Sequence, residues 1–94
     1  MYLKELTIFF SAIQHDEWIT PFHISIYIAL FEQWNLNHFE NPVSISRRKI
    51  MDMSKISSNA TYHKCMRELV EGGYIRYIPS YHPVLGSLVY FNQL

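Results

Sequence analysis

Apolar positions repeat along this chain with a period near 3.6 for about seventy residues and near 2 for the remainder. Leu3, Leu6, Phe9, Phe10 and Ile13 fall on one helical stripe, with Lys4, Glu5 and Ser11 off it, so Tyr2 to Gln14 predicts a short amphipathic helix. The β-forming run Thr7 to Phe10 leaves a strand open there. His15-Asp16-Glu17 interrupts the pattern. Thr20-Pro21 then gives a helix start, because threonine is a good N-cap and proline at the first helical position has a preset φ and no N–H to lose. Ile24, Tyr27, Ile28, Phe31 and Trp34 continue as one stripe, and Ile26 and Leu30 widen it beyond a single face. A helix this apolar must be covered on more than one side. The N-terminal helix is one candidate cover and a second subunit is another.

A polar break from Asn35 to Pro42 precedes Val43-Ser44-Ile45, a potential edge strand. Ser46 is placed to cap a helix through Arg47-Arg48-Lys49-Ile50-Met51-Asp52-Met53, with Ile50 and Met53 inward. Ser54 to Ser58 reads as a turn plugged by Ile56. Ser58 or Asn59 opens the next helix, which runs to about Glu71 with Tyr62, Cys65, Met66, Leu69 and Val70 as its buried stripe. Gly72-Gly73 stops it. Tyr74 to Ile78 and Ser87 to Phe91 are β-rich runs around a Pro- and Gly-containing loop at 79–86, the pattern of a hairpin. The expected fold is mainly α with a small β-hairpin (α+β), in one domain over residues 1–94. Its parts are an N-terminal helix and loop (1–17), a first helix (20–36), a helix–turn–helix (43–73) and a hairpin (74–92).

Composition adds limits. Apolar residues make up 49% of the chain and charged residues 17%, which excludes a disordered tail. The longest apolar stretch, Ile24 to Phe31, is far shorter than the roughly 20 residues of a membrane span. The start Met1-Tyr2-Leu3-Lys4-Glu5 lacks the pattern of a signal peptide. The expectation is a soluble, cytoplasmic protein. Cys65 is the only cysteine, so no internal disulfide forms. His63 and Cys65 point to different helix faces, and no further ligands cluster near them, so neither a metal nor any other cofactor is expected. No nucleophile–base pattern or phosphate loop marks an enzyme.

Formal net charge is zero, yet its distribution is uneven. Residues 1–43 hold one lysine against five acids, and residues 44–94 hold seven lysines and arginines against three acids. The second half therefore carries a local positive surface of the kind that binds phosphate, while overall neutrality bounds the non-specific attraction.

The run Thr61-Tyr62-His63-Lys64-Cys65-Met66-Arg67-Glu68-Leu69-Val70-Glu71-Gly72-Gly73-Tyr74-Ile75 resembles the second-helix signature of bacterial winged helix-turn-helix regulators of the GntR and MarR type. Thr61, the pair Cys65-Met66, Leu69 and Gly73-Tyr74-Ile75 fill that family's slots. Tyr62 departs from the usual aliphatic residue, and no glycine marks the turn near Ser54-Lys55. The resemblance covers about residues 43–92. It implies a winged helix-turn-helix with an extra N-terminal helix, binding double-stranded DNA as a transcriptional regulator. On that reading Ser57, Ser58, Asn59, Thr61, His63, Lys64 and Arg67 lie on the recognition helix or at its start. Arg47, Arg48 and Lys49 would touch the DNA backbone, and Arg76, Tyr81 and His82 would reach DNA from the wing.

Each residue has a plainer use. Ser58 and Asn59 serve equally as caps, Thr61 as helix surface, Tyr62 and Cys65 as core, and Lys64 and Arg67 as partners for Glu68 and Glu71. A homodimer through the N-terminal helices is expected from their surplus of apolar and aromatic positions. The competing readings are a protein–protein interaction module of the same fold and a replication or partition accessory protein.

Overall fold

A computed structural model describes residues 3–80 and 86–91. In chain order the elements are α1 (Leu3–Ile13), α2 (Pro21–Leu36), β1 (Val43–Ile45), α3 (Arg47–Ser54), α4 (Asn59–Glu71), β2 (Ile75–Ile78) and β3 (Ser87–Phe91). The architecture is mixed α+β, with four helices and one three-stranded antiparallel sheet of order β1–β3–β2 among the described residues. The short run Val43–Ile45 is thus an edge strand, with Val43 opposite Val89 and Ile45 opposite Ser87. On the other side of β3, Ile75 stands opposite Phe91 and Tyr77 opposite Val89.

The core follows from α2. His23, Ile26, Tyr27, Ala29, Leu30, Phe31 and Trp34 are all buried, and this helix packs against α3, α4 and β1. Fully burying an aliphatic or aromatic side chain of this size is worth about 1.5–3 kcal/mol. Rings tie the remaining elements to it. Phe9 of α1 stacks on Tyr27 at 3.7 Å, and Trp34 stacks on Phe91 of β3 at 4.5 Å. The Tyr74 hydroxyl donates to the Asp16 carboxylate, which anchors the loop between α1 and α2 to the foot of the sheet. Asn41 holds the end of β3 through both of its amide atoms, accepting from the Phe91 N–H and donating to the Phe91 carbonyl, each at 3.0 Å.

Two apolar positions expected on buried stripes face outward. Phe10 is 61% exposed because Phe9 and Ile13 take the inward face of α1, and Phe10 lies about 100° around the helix from Phe9. Ile28 is 46% exposed, and the polar His23 is buried in its stead at the start of α2. A buried polar ring requires partners, and both nitrogens of His23 have them. Nδ1 accepts from the Thr20 N–H at 2.9 Å, and Nε2 lies 3.0 Å from Oε1 of Glu68 on α4. Accepting at Nδ1 fixes the tautomer, so Nε2–H is the donor to Glu68.

The turn between α3 and α4 explains how the chain dispenses with a glycine. Lys55 itself takes the left-handed conformation, at φ 62°, and the Ile56 N–H returns to the Met51 carbonyl at 3.0 Å. This is the bonding of a Schellman cap, and Ile56 supplies its apolar contact by inserting into the core. Ser54 is the last residue of α3 rather than the first of the turn. Its carbonyl accepts from the Ser25 hydroxyl at 2.6 Å, which fastens the end of α3 to α2.

Candidate nucleic-acid interface

Helix α4 starts at Asn59 because the Ser58 hydroxyl accepts from the Thr61 N–H at 3.2 Å, making Ser58 the cap. Its inward stripe is Tyr62, Cys65, Met66 and Leu69. Opposite them Asn59, Ala60, His63, Lys64, Arg67 and Glu71 are exposed. Helix α3 begins in the same way, with the Ser46 hydroxyl accepting from the Lys49 N–H at 3.3 Å. Arg47, Arg48 and Lys49 stand exposed in its first turn.

Two adjoining clefts connect these helices, and Arg47 and Arg48 line both. One cleft also takes in Ser57 and Asn59 from the start of α4, with Asp52 and Ile56. The other, of about 600 Å³, is walled by His63 of α4, Tyr77 of β2, and Ser80 and Ser87 at the far end of the β2–β3 pair. The arginine pair therefore sits between the beginning of α4 and the strands, joining Ser57, Asn59 and His63 into one concave surface. Among the described residues, neither Arg47 nor Arg48 forms a salt bridge. Lys64 and Arg67 extend the outward stripe of α4, and Arg67 makes an exposed contact with Glu71 at 3.8 Å. An exposed pair of this kind is worth less than about 1 kcal/mol and leaves the guanidinium available.

Other expected residues are placed elsewhere. Thr61 is half-buried and lies seven residues before Glu68, on the stripe that turns toward His23 of α2. Arg76 alternates with Ile75 and Tyr77, so it projects from the opposite face of the sheet and covers the Tyr90 ring at 4.5 Å. It is not brought together with the residues of α3 and α4. Tyr81 and His82 lie outside the described residues.

Sequence reasoning did not single out Tyr77, Ser80 or Ser87 as part of this surface. Strand alternation carried the signal for Tyr77, since the face that buries Ile75 continues two residues on as the cleft wall. His23 was missed as well, although a partner three residues after the Thr20 cap is the position of a capping box. Through Glu68 it holds α4 against α2 and so fixes the outward angle of the helix.

The electrostatics beneath the surface are those of a dry support. Burial pushes the Tyr62 phenol well above the ordinary tyrosine range, with the neighbouring Tyr77 adding to the effect and Arg47 opposing it. Burial likewise raises the Cys65 thiol, reinforced by Glu68 and offset by Lys64, which leaves Cys65 an inert packing group. Among the described residues there is no group of three or more His, Cys, Asp or Glu side chains that could hold a metal, and no helix is long and apolar enough to cross a membrane.

Compared with known proteins, the chain gives no significant match to a family model, a curated protein or a solved structure.

Proposed function

We propose that the chain is a winged helix-turn-helix protein that binds double-stranded DNA in a sequence-specific way and regulates transcription by occupying its site. One observation carries this reading. The exposed face of α4 is polar and cationic, and the arginines of α3 flank its first turn in a continuous concave surface. An α-helix with side chains is about 10–12 Å across, and the major groove of B-DNA is about 12 Å wide. With α4 in the groove, Asn59 and Lys64 reach base edges. Asparagine suits the paired donor and acceptor of adenine, and lysine suits the acceptors of guanine. Arg47, Arg48 and Lys49 meet the phosphates beside the groove, adding affinity without sequence choice. The β2–β3 pair is the wing on this reading.

The protein acts as a homodimer on this reading. Phe10 of α1 and Phe22, Ile28 and Leu36 of α2 are large apolar side chains exposed to solvent, and a second copy would cover them. Paired reading helices then lie about 34 Å apart, one turn of DNA, and the preferred site is a two-fold repeat. The test is selection of bound fragments from a random duplex pool. The expected product is a short inverted repeat with half-sites one turn apart. Recovery of no sequence above background would count against sequence-specific binding.

A further inference from the structure

We propose that His63 couples DNA affinity to pH, because the cleft it shares with Arg47 and Arg48 receives a backbone phosphate that the charged imidazole binds. The inference rests on the DNA reading above and adds a mode of regulation to that same site. His63 is exposed on α4, and its ring meets the buried Tyr62 ring edge-on at 5.3 Å, which sets it at the cleft wall rather than free in solvent.

The charged and titratable groups around it are few. Facing it across the cleft are Arg47 and Arg48 from α3 and the Tyr77 phenol from β2, whose hydroxyl donates to Ser87 at 3.3 Å. Among the described residues, no carboxylate lines this cleft. Asp52 lies in the adjoining one, and Glu68 is turned to His23. On its other side His63 lines a second groove with Tyr77, Arg67 and Glu71, where the Glu71 carboxylate lies 3.8 Å from Arg67. Lys64 follows on the outward stripe of α4. Two arginines and an imidazole in a cleft without a carboxylate among the described residues form a receptor for an external anion, and a phosphate oxygen is the anion a duplex supplies.

Imidazole changes charge between about pH 5 and 8, and a phosphate against it favours the charged form. Binding therefore draws a proton onto His63. By linkage the extra affinity is fully present at low pH and is lost as pH rises through the value for the bound state.

The experiment measures duplex affinity by fluorescence anisotropy at constant ionic strength between about pH 6 and pH 8, for the full chain and for His63→Gln and His63→Lys. Calorimetry in two buffers of different ionisation enthalpy counts the protons taken up. The unaltered protein should bind about fivefold or more tightly at the acid end and take up a fraction of a proton on binding. His63→Gln should bind with a flat pH profile, near the alkaline affinity of the unaltered protein. His63→Lys should be flat as well, at the tighter level. A flat profile in the unaltered protein, or an unchanged profile in His63→Gln, overturns the inference and leaves the DNA reading intact. Absence of duplex binding at every pH removes both.

Discussion

Helices α2 and α4 lie against one another in the same core yet use their surfaces in opposite ways. α2 is apolar around most of its circumference, and α3, α4, β1 and the ring of Phe9 cover it. Only a strip containing Ile28 and Leu36 stays open. α4 buries a single stripe of four residues and leaves Asn59, His63, Lys64 and Arg67 in water. The difference lies in what the chain saves for contact. Surface on α2 is spent on stability, and on the DNA reading proposed above the surface of α4 is kept for polar and charged groups that meet a partner outside the chain. His23 and Glu68 join the two helices by a partly buried hydrogen bond, which ties the position of one to the other.

Substitutions should separate these roles. Leu30→Ala removes a fully buried side chain from α2 and should cost about 2–5 kcal/mol. That is a large part of the roughly 5–15 kcal/mol available to an ordinary domain. Chemical denaturation measures it, and a loss under about 1 kcal/mol would mean that α2 is not the organising helix.

Alkali attacks the same helix. Burial, with a smaller contribution from Glu5, raises the Tyr27 phenol to about 12. The folded state keeps this proton while the unfolded state releases it near the ordinary tyrosine value of 10.0. The contribution of Tyr27 to stability is therefore complete below pH 10.0, and about 2–3 kcal/mol of it is lost toward pH 12. Phenolate absorbance followed together with circular dichroism should show this tyrosine ionising as the protein unfolds.

On α4 the balance reverses. Asn59→Ala or Lys64→Ala should leave the melting temperature nearly unchanged and cost about 1–3 kcal/mol of affinity for the preferred DNA site alone. Equal losses on every duplex would place these side chains on phosphates. Arg76→Ala should have the smallest effect. It gives up a cation–π contact worth about 0.5–1 kcal/mol on the far face of the sheet and should leave duplex affinity within error.

Much of the fold was legible because its signals are local. Thr20-Pro21, Ser46, Ser58 and Gly72-Gly73 each mark a helix boundary through the hydrogen bond or backbone angle that the residue supplies, and the helices begin and end there. The change of period after Gly73 gave both later strands. Pairing of Val43–Ile45 with β3 was harder to read, since it depends on residues more than forty positions away. Burial of His23 and exposure of Phe10 and Ile28 depend on which neighbours arrive, and periodicity carries no such information. The candidate surface was legible as a set of residue types. The face each occupies required strand alternation and helix packing, and those separate Arg76 and Thr61 from the residues grouped around Arg47 and Arg48.

The most direct test of the account is the salt dependence of duplex binding, measured side by side for the unaltered protein and for an Arg47→Ala/Arg48→Ala variant. Each phosphate contact contributes about −0.9 to the slope of log K against log salt. The unaltered protein should show a slope of several units, and the double variant should lose nearly two of them while keeping its fold. A protein that binds no duplex, or a slope that the two substitutions leave unchanged, would contradict the claim that the start of α3 and the outer face of α4 form a DNA-binding surface.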